Sequence, residues 1–255
     1  MKINRISKES KMKRKLFAAF GILAMLLGLT WGYNFAAAPL SLPDSCTPAT
    51  GVVIQPPYSS NYVACASGVL SGIPAGIGAI TFKHDDPDTL LVATYTETSP
   101  GGIYSVPIQR DADNHIIDVV NPGTSFASAS YVSTGMVYGP ENLLFYSRSP
   151  VNQLGEIKPG SVVTDKIIDL NALGVTPSVS GLNFVPDGFP NAGELKLVTN
   201  KTGEWYAATI SPEGGGTYSI ATITKKTQIS SYPEGFVYVP PAPPKPARRP
   251  GWRTG

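Results

Sequence analysis

The chain has few of the residues that usually carry enzyme chemistry. Its 255 residues include two cysteines, two histidines and four methionines, and only 15% are charged. Beyond the N-terminus no apolar pattern repeats at helical spacing, which argues against an α/β fold. What is present is a series of short apolar runs, rich in β-branched and aromatic residues, separated by turns of glycine, proline, asparagine and aspartate. This pattern predicts an all-β protein.

One stretch, residues 79 to 119, contains a complete set of four such runs. The runs are residues 79–82, 90–93, 103–108 and 116–119, and the turns between them are 84–88, 101–102 and 111–114. Four antiparallel strands in roughly 40 to 50 residues match the size of one β-propeller blade. We therefore interpret this stretch as a single structural repeat.

The first run of the set recurs along the chain as a small residue followed three positions later by an aromatic one. The small residues are Ala79, Gly135, Gly181 and Gly235, at spacings of 56, 46 and 54 residues. Strand-like runs in the same order follow the second and third of them. We expect a β-propeller of about three four-stranded blades plus the start of a fourth, over residues 71–240. The small residues would lie where the inner strands crowd around a central channel. The alternative is a β-sandwich with evenly spaced strands.

The N-terminal segment has the charge pattern of an export signal. Residues 1 to 15 contain seven basic residues and one acid, and residues 16 to 38 contain no charge. A basic region followed by an apolar one and by Ala36–Ala38 is typical of a signal peptide. An uncleaved N-terminal anchor helix is the alternative, because 23 uncharged residues exceed the roughly 20 needed to cross a bilayer. Either reading predicts a secreted, periplasmic or membrane-anchored extracytoplasmic body, with membrane contact only through residues 1–38.

The charge of the body differs from that of the whole chain. The formal net charge is +2, but residues 39 to 240 carry 9 Lys plus Arg and 17 Asp plus Glu, a net charge of −8. An acidic body argues against a nucleic-acid partner and is compatible with cation binding. From residue 241 to 255 the chain is rich in proline and arginine, and it is expected to be disordered.

Cys46 and Cys65 are the only cysteines, and both lie in the segment 39–70 before the first repeat. In an oxidising compartment an even cysteine count predicts a disulfide between them. A zinc site is disfavoured because no histidine lies near them in the sequence to complete a tetrahedral shell.

The two histidines and the acidic turns do not form a complete catalytic or metal-binding motif in the sequence. His84 and His115 lie in or beside acidic turns, and no serine stands in a nucleophile-elbow context. Asp111 and Asp113, followed by Asn114, resemble the start of a calcium loop, but the later ligands are missing, so a hairpin turn is favoured. A divalent cation such as calcium remains the candidate cofactor.

The repeat starts, the run His84–Val92 and the strand Gly102–Val106 together give the chain a family resemblance. It resembles the six-bladed, TolB-like β-propellers, and among them secreted bacterial proteins of unassigned function. That superfamily includes gluconolactonase-type enzymes, whose channel metal is held by a Glu preceding a glycine and by Asn and Asp from other blades. The resemblance implies Glu234, before Gly235, and Asn183 as metal-ligand candidates.

These observations favour a secreted, non-enzymatic propeller that serves as a binding scaffold for a protein or small-molecule ligand. A divalent-metal-dependent, lactonase-like hydrolase with a channel site is the first alternative. The second alternative is an inactive fragment of a longer propeller. The repeats supply only the inner strand of a fourth blade, Gly235–Val239, before the composition becomes rich in proline and arginine at Pro240.

Overall fold

The computed structural model describes residues 47–60, 62–66, 70–112, 114–230 and 232–239. The proposed signal or anchor, Cys46, Asp113 and the tail 241–255 lie outside these ranges. The chain divides into two compact units, and the smaller comprises residues 1–43 and 53–63. Its described part contains a 3-10 turn at Tyr58–Ser60, beside which the ring centroids of Tyr58 and Tyr62 are 6.3 Å apart. Within the described ranges, no helix has the length and apolarity needed to cross a membrane.

The larger unit, residues 44–52 and 64–255, contains all the described strands. A short 3-10 turn at Pro140–Asn142 follows the eighth of them. The strands are β1 Thr47–Pro48, β2 Cys65–Ala66, β3 Ile80–Lys83, β4 Asp86–Thr94, β5 Gly102–Arg110, β6 Ile116–Val119, β7 Thr124–Ser128, β8 Val132–Tyr138, β9 Leu144–Arg148, β10 Gln153–Ile157, β11 Lys166–Asp169, β12 Val179–Phe184, β13 Leu195–Thr199, β14 Glu204–Glu213 and β15 Thr217–Gln228.

Twelve of these strands form three antiparallel sheets in which consecutive strands are neighbours. The first sheet has the order β3-β4-β5-β6, the second β8-β9-β10-β11 and the third β12-β13-β14-β15. A fifth strand of the first sheet, β7, pairs with β5, and β1 pairs with β2 in a separate ladder. Three four-stranded meanders in sequence confirm the predicted all-β fold and are compatible with a propeller-like arrangement of blades.

The predicted strands and the observed ones agree to within a few residues, but three details of the prediction are wrong. Strand β7 was not expected, because its run Thr124–Ser128 does not alternate regularly. The expected turn at 84–88 is shorter, since β4 already begins at Asp86, which pairs with Lys83, and a register shift follows before Leu90 pairs with Phe82. The expected fourth inner strand, Gly235–Val239, forms no strand pairing, although it lies beside the first strand of the third sheet.

The core lies between the sheets, as the alternation of side chains along each strand requires. In β9, Leu144 and Tyr146 join an apolar cluster with Leu91 and Ile103 of the first sheet. Phe145, between them, joins a second cluster shared with the third sheet. Each residue of β9 is buried, so the second sheet is covered on both faces by its neighbours.

The first strands of the three sheets run side by side at one edge of the stack. The N–H of Ala79 donates to the carbonyl of Ser133 over 3.1 Å. A Cβ added to Gly135 would lie 2.4 Å from the carbonyl oxygen of Ser180, and one added to Gly181 would lie 2.9 Å from the Cα of Gly235. The small residue that opens each repeat therefore marks a place where the backbones of neighbouring repeats touch.

The segment 232–239 continues this row although it lacks strand pairing. The hydroxyl of Ser180 donates to the carbonyl of Pro233 over 2.7 Å, and the rings of Phe236 and Trp205 are 4.4 Å apart. These contacts hold the segment against the face of the third sheet that points away from the second.

The long hairpin formed by β14 and β15 reaches across to the second sheet. Lys166 of β11 bonds to the carbonyl of Tyr218 and to the carboxylate of Glu213, each over 2.5 Å. The carboxylate of Glu156, which is fully buried, accepts the N–H of Tyr218 over 3.1 Å. The second and third sheets are thus joined by polar contacts as well as by the apolar core.

Candidate functional site

A concave site opens between the first and second sheets, and we call it the side cleft. Its volume is about 300 Å³, which is at the lower end of the size range of small-molecule pockets. Turn residues from both sheets surround it, and its base is formed by strands β7 to β10. The lining residues are Lys83, His84, Asp85, Phe126, Tyr138, Asn142, Leu144, Ile157, Lys158, Pro159 and Gly160.

The base of the side cleft is apolar and aromatic. Leu144 and Ile157 are almost fully buried in the core beneath it. Phe126 and Tyr138 are half-buried and pack against the same core cluster. The ring of His84 stands edge-on to that of Tyr138, with centroids 5.7 Å apart. A planar apolar group could therefore lie on rigid, well-packed side chains.

The rim of the side cleft carries paired charges. Lys83 and Asp85 form an ion pair of 2.8 Å, and Lys158 lies 3.3 Å from Asp165. The hydrogen bond between Lys83 and Asp85 raises the pKa of the lysine and lowers the pKa of the aspartate. Both groups thus stay charged over the physiological range, and the rim presents fixed donors and acceptors beside an apolar base.

The phenol of Tyr138 is held in its neutral form. Burial raises its pKa above the ordinary value of 10.0, and a hydrogen bond from the backbone of His84 offsets part of that effect. The hydroxyl therefore remains a neutral polar group at the margin of the cleft. No serine, threonine or cysteine is among the residues that line the side cleft.

A second cavity, of about 290 Å³, lies along the row of first strands, and we call it the inner cavity. Much of its wall is backbone at glycines of successive repeats, and its polar side chains are Thr81, Thr134 and Asn183. The hydroxyl of Thr134 is buried and has no hydrogen-bond partner among the described residues. Its wall includes Gly135, Gly181 and Gly235, the small residues beside which the sequence predicted a channel, and the channel itself stays a prediction.

The candidate metal ligands lie in different places. Asn183 lines the inner cavity, as does Gly235 but not the neighbouring Glu234. The carboxylate of Glu234 is exposed and accepts a hydrogen bond from the side-chain amide of Asn200. In the described parts of the chain, no three residues among histidine, cysteine, aspartate and glutamate cluster as a metal site would require.

Asp111 lies in the hairpin between β5 and β6 and is not among the residues that line the inner cavity. One of its carboxylate oxygens accepts the N–H of His115 over 2.8 Å, and the other lies 3.0 Å from Nδ1 of the same residue. These contacts are those of the hairpin turn that the sequence favoured over a calcium loop. Asp113, the second candidate in this turn, lies outside the described residues.

The cysteines are only partly described. Cys65 lies in β2 opposite Pro48 of β1, two residues after Cys46 in the sequence. Cys46 itself lies outside the described residues, so the disulfide stays a prediction.

The side cleft was not predicted from the sequence. Tyr138 packs against the apolar core cluster and also lines the side cleft. Its partners Phe126 and Lys158 belong to different repeats and carry no shared motif that would reveal their proximity. Comparison with known proteins finds no family model that matches this chain and no significant match among curated proteins.

Proposed function

We propose that the chain is an exported, non-enzymatic propeller of the TolB-like kind that binds a small amphipathic molecule in the side cleft. The observation that carries the proposal is the cleft itself, with its apolar base, its charged rim and no serine, threonine or cysteine among its lining residues. The repeated four-stranded sheets support the propeller assignment. The ligand class follows from the lining: a planar apolar body for the base and one charged or polar group for the rim.

The arrangement favours binding over turnover because the two lysines of its rim are already paired with carboxylates. Asp85 and Asp165 neutralise the two lysines, so neither lysine is free to act as a base. A ligand anion would share these lysines at the rim, while its apolar part gains from removal of surface from water. We therefore expect affinity set mainly by the apolar body and selectivity set by the rim.

The proposal predicts saturable binding of an amphipathic aromatic anion. With 8-anilinonaphthalene-1-sulfonate as the probe, about 21 non-hydrogen atoms at about 0.3 kcal/mol each give a Kd on the order of 10 to 100 μM. Fluorescence titration of the full-length protein should show one site per chain. Lys158→Trp, which places a bulky ring at the rim, should weaken binding about tenfold.

The matched control is Lys201→Trp, which introduces the same ring at an exposed turn away from the cleft and should leave the titration unchanged. Equal weakening by both variants, or linear and non-saturable fluorescence, would refute the side cleft as the site. The same proteins are assayed with lactones and divalent cations. Metal-dependent hydrolysis that is abolished by Asn183→Ala would replace the binding proposal with the channel hydrolase.

Export carries its own prediction. The basic and uncharged N-terminal segments direct the body out of the cytoplasm, where Cys46 and Cys65 would be oxidised. Alkylation of the exported, non-reduced protein followed by mass spectrometry should find both thiols blocked. Labelling of both cysteines would contradict the disulfide.

A further inference from the structure

The contacts between successive repeats are regular until the last one. The small residues Ala79, Gly135 and Gly181 each meet the backbone of the following repeat, at Ser133, Ser180 and Gly235 respectively. Gly235 opens the fourth repeat, and a Cβ added to it would meet no atom of the described part of the chain within 4 Å. The small residue is packed against the following repeat in the first three repeats, but in the fourth repeat it has no such neighbour among the described residues. The two valines after it, Val237 and Val239, are 77% and 76% exposed.

At the opposite end of the row of first strands, apolar side chains are exposed. Within the described residues no repeat precedes the first strand, β3, and its side chains Ile80 and Phe82 are 57% and 44% exposed. Ile77, just ahead of the strand, is 55% exposed. In the later repeats, residues at the start of the first strand pack on the repeat before. The chain thus presents an apolar leading strand at one end and an unoccupied glycine position at the other.

From this geometry we infer that the trailing segment 232–239 of one molecule docks against the leading strand, residues 77–82, of a second copy. The occupant is identified by the repeat itself. The open position at Gly235 is built to receive the start of a first strand that opens on a small residue. The chain's own first repeat begins with Gly78–Ala79 and is the one such start that has no preceding repeat in the described structure.

A contact of this kind is heterologous, because it joins the trailing segment of one copy to the leading strand of another. In a closed ring each copy uses both surfaces, and a ring of two copies makes the contact twice, which removes the exposed surfaces of both. Closure covers the apolar residues at both ends and leaves no open junction in the row of first strands. The inference concerns the ends of the row and is independent of the ligand proposed for the side cleft.

Size-exclusion chromatography with light scattering tests the inference. The full-length chain, in a mild non-ionic detergent that covers residues 16–38, should run as a dimer at micromolar concentration. Gly235→Val and Val237→Asp should each weaken dimerisation at least about tenfold. Gly214→Val is the matched control, because Gly214 is also free of neighbours within 4 Å and has no positive φ. It should dimerise normally.

Mixing two defective variants distinguishes this contact from a symmetric one. Ile80→Asp blocks the leading strand and Val237→Asp blocks the trailing segment, so each alone should be largely monomeric. Mixed, they retain one intact junction and should form a heterodimer, detected by energy transfer between differently labelled chains. A wild-type monomer, a dimer insensitive to these variants, or a mixture without heterodimer would overturn the inference. Ligand titration of the side cleft stays unaffected in every case.

Discussion

Gly135→Ala should lower the free energy of unfolding by about 3 kcal/mol or more, which is at the upper end of the cost of overpacking. The new methyl group would lie 2.4 Å from the carbonyl oxygen of Ser180 and 2.9 Å from the amide nitrogen of Leu182. Both are backbone atoms of β12, so the first strand of the third sheet must move as a whole. The loss is a large fraction of the roughly 5 to 15 kcal/mol that stabilises a typical domain.

Gly214→Ala provides the control for this prediction. A Cβ at Gly214, in the turn between β14 and β15, meets nothing within 4 Å. Because alanine restricts the unfolded chain more than glycine does, this variant should be neutral or more stable by up to about 1 kcal/mol. Urea denaturation followed by circular dichroism measures both. Equal stability of the two variants would show that the first strands of the second and third sheets do not touch as described.

Glu156→Gln should raise the free energy of unfolding at pH 8 by about 1 to 3 kcal/mol, because it removes a buried carboxylate charge, and an incompletely satisfied buried polar group costs about that much, or more when it is charged. Glu156 is fully buried between the second and third sheets. One carboxylate oxygen accepts the N–H of Tyr218, and the other has no partner among the described residues. Glutamine keeps the shape and the acceptor but cannot ionise, so it avoids placing a charge there.

The direction of the change in unfolding free energy follows from the ionisation of Glu156. Burial raises the pKa of Glu156 above the ordinary value of 4.5, against the opposing effects of the Tyr218 N–H and Lys166. The folded protein therefore holds this proton to a higher pH than the unfolded chain does. The contribution of Glu156 to stability is fully present below pH 4.5 and is lost as the pH rises through the folded pKa. The variant should lack this loss and match the wild type at pH 4.

Glu204 should behave in the opposite way and is the internal comparison. Hydrogen bonds from Lys225, Thr176 and Tyr206 lower its pKa to about 2. Its contribution is present above pH 4.5 and is lost as the pH falls from there towards about 2. Glu204→Gln should therefore destabilise the protein at pH 7. Parallel pH profiles for the two variants would contradict the assignment of Glu156 as a buried, disfavoured charge.

Much of the local structure follows from the sequence because side chains alternate along a half-buried strand. The run Ile116–Val119 was predicted with its observed bounds, and the spacing of Ala79, Gly135 and Gly181 indicated where repeats begin. These are local signals: apolar period, turn residues and a residue without a bulky side chain. Strand β7 escaped prediction because its run, Thr124–Ser128, is stabilised by pairing with β5 rather than by its own pattern.

The sequence by itself determined the all-β class, the order of the strands in three meanders and the small residues at which neighbouring repeats meet. Only the tertiary structure decided what lies between the repeats. It brought Lys83, Phe126 and Lys158 together in the side cleft, buried Glu156 against Tyr218, and left Gly235 open. The physical reason is that each of these features depends on how one sheet packs on the next. Such contacts join residues tens of positions apart, and neither strand period nor turn chemistry encodes them.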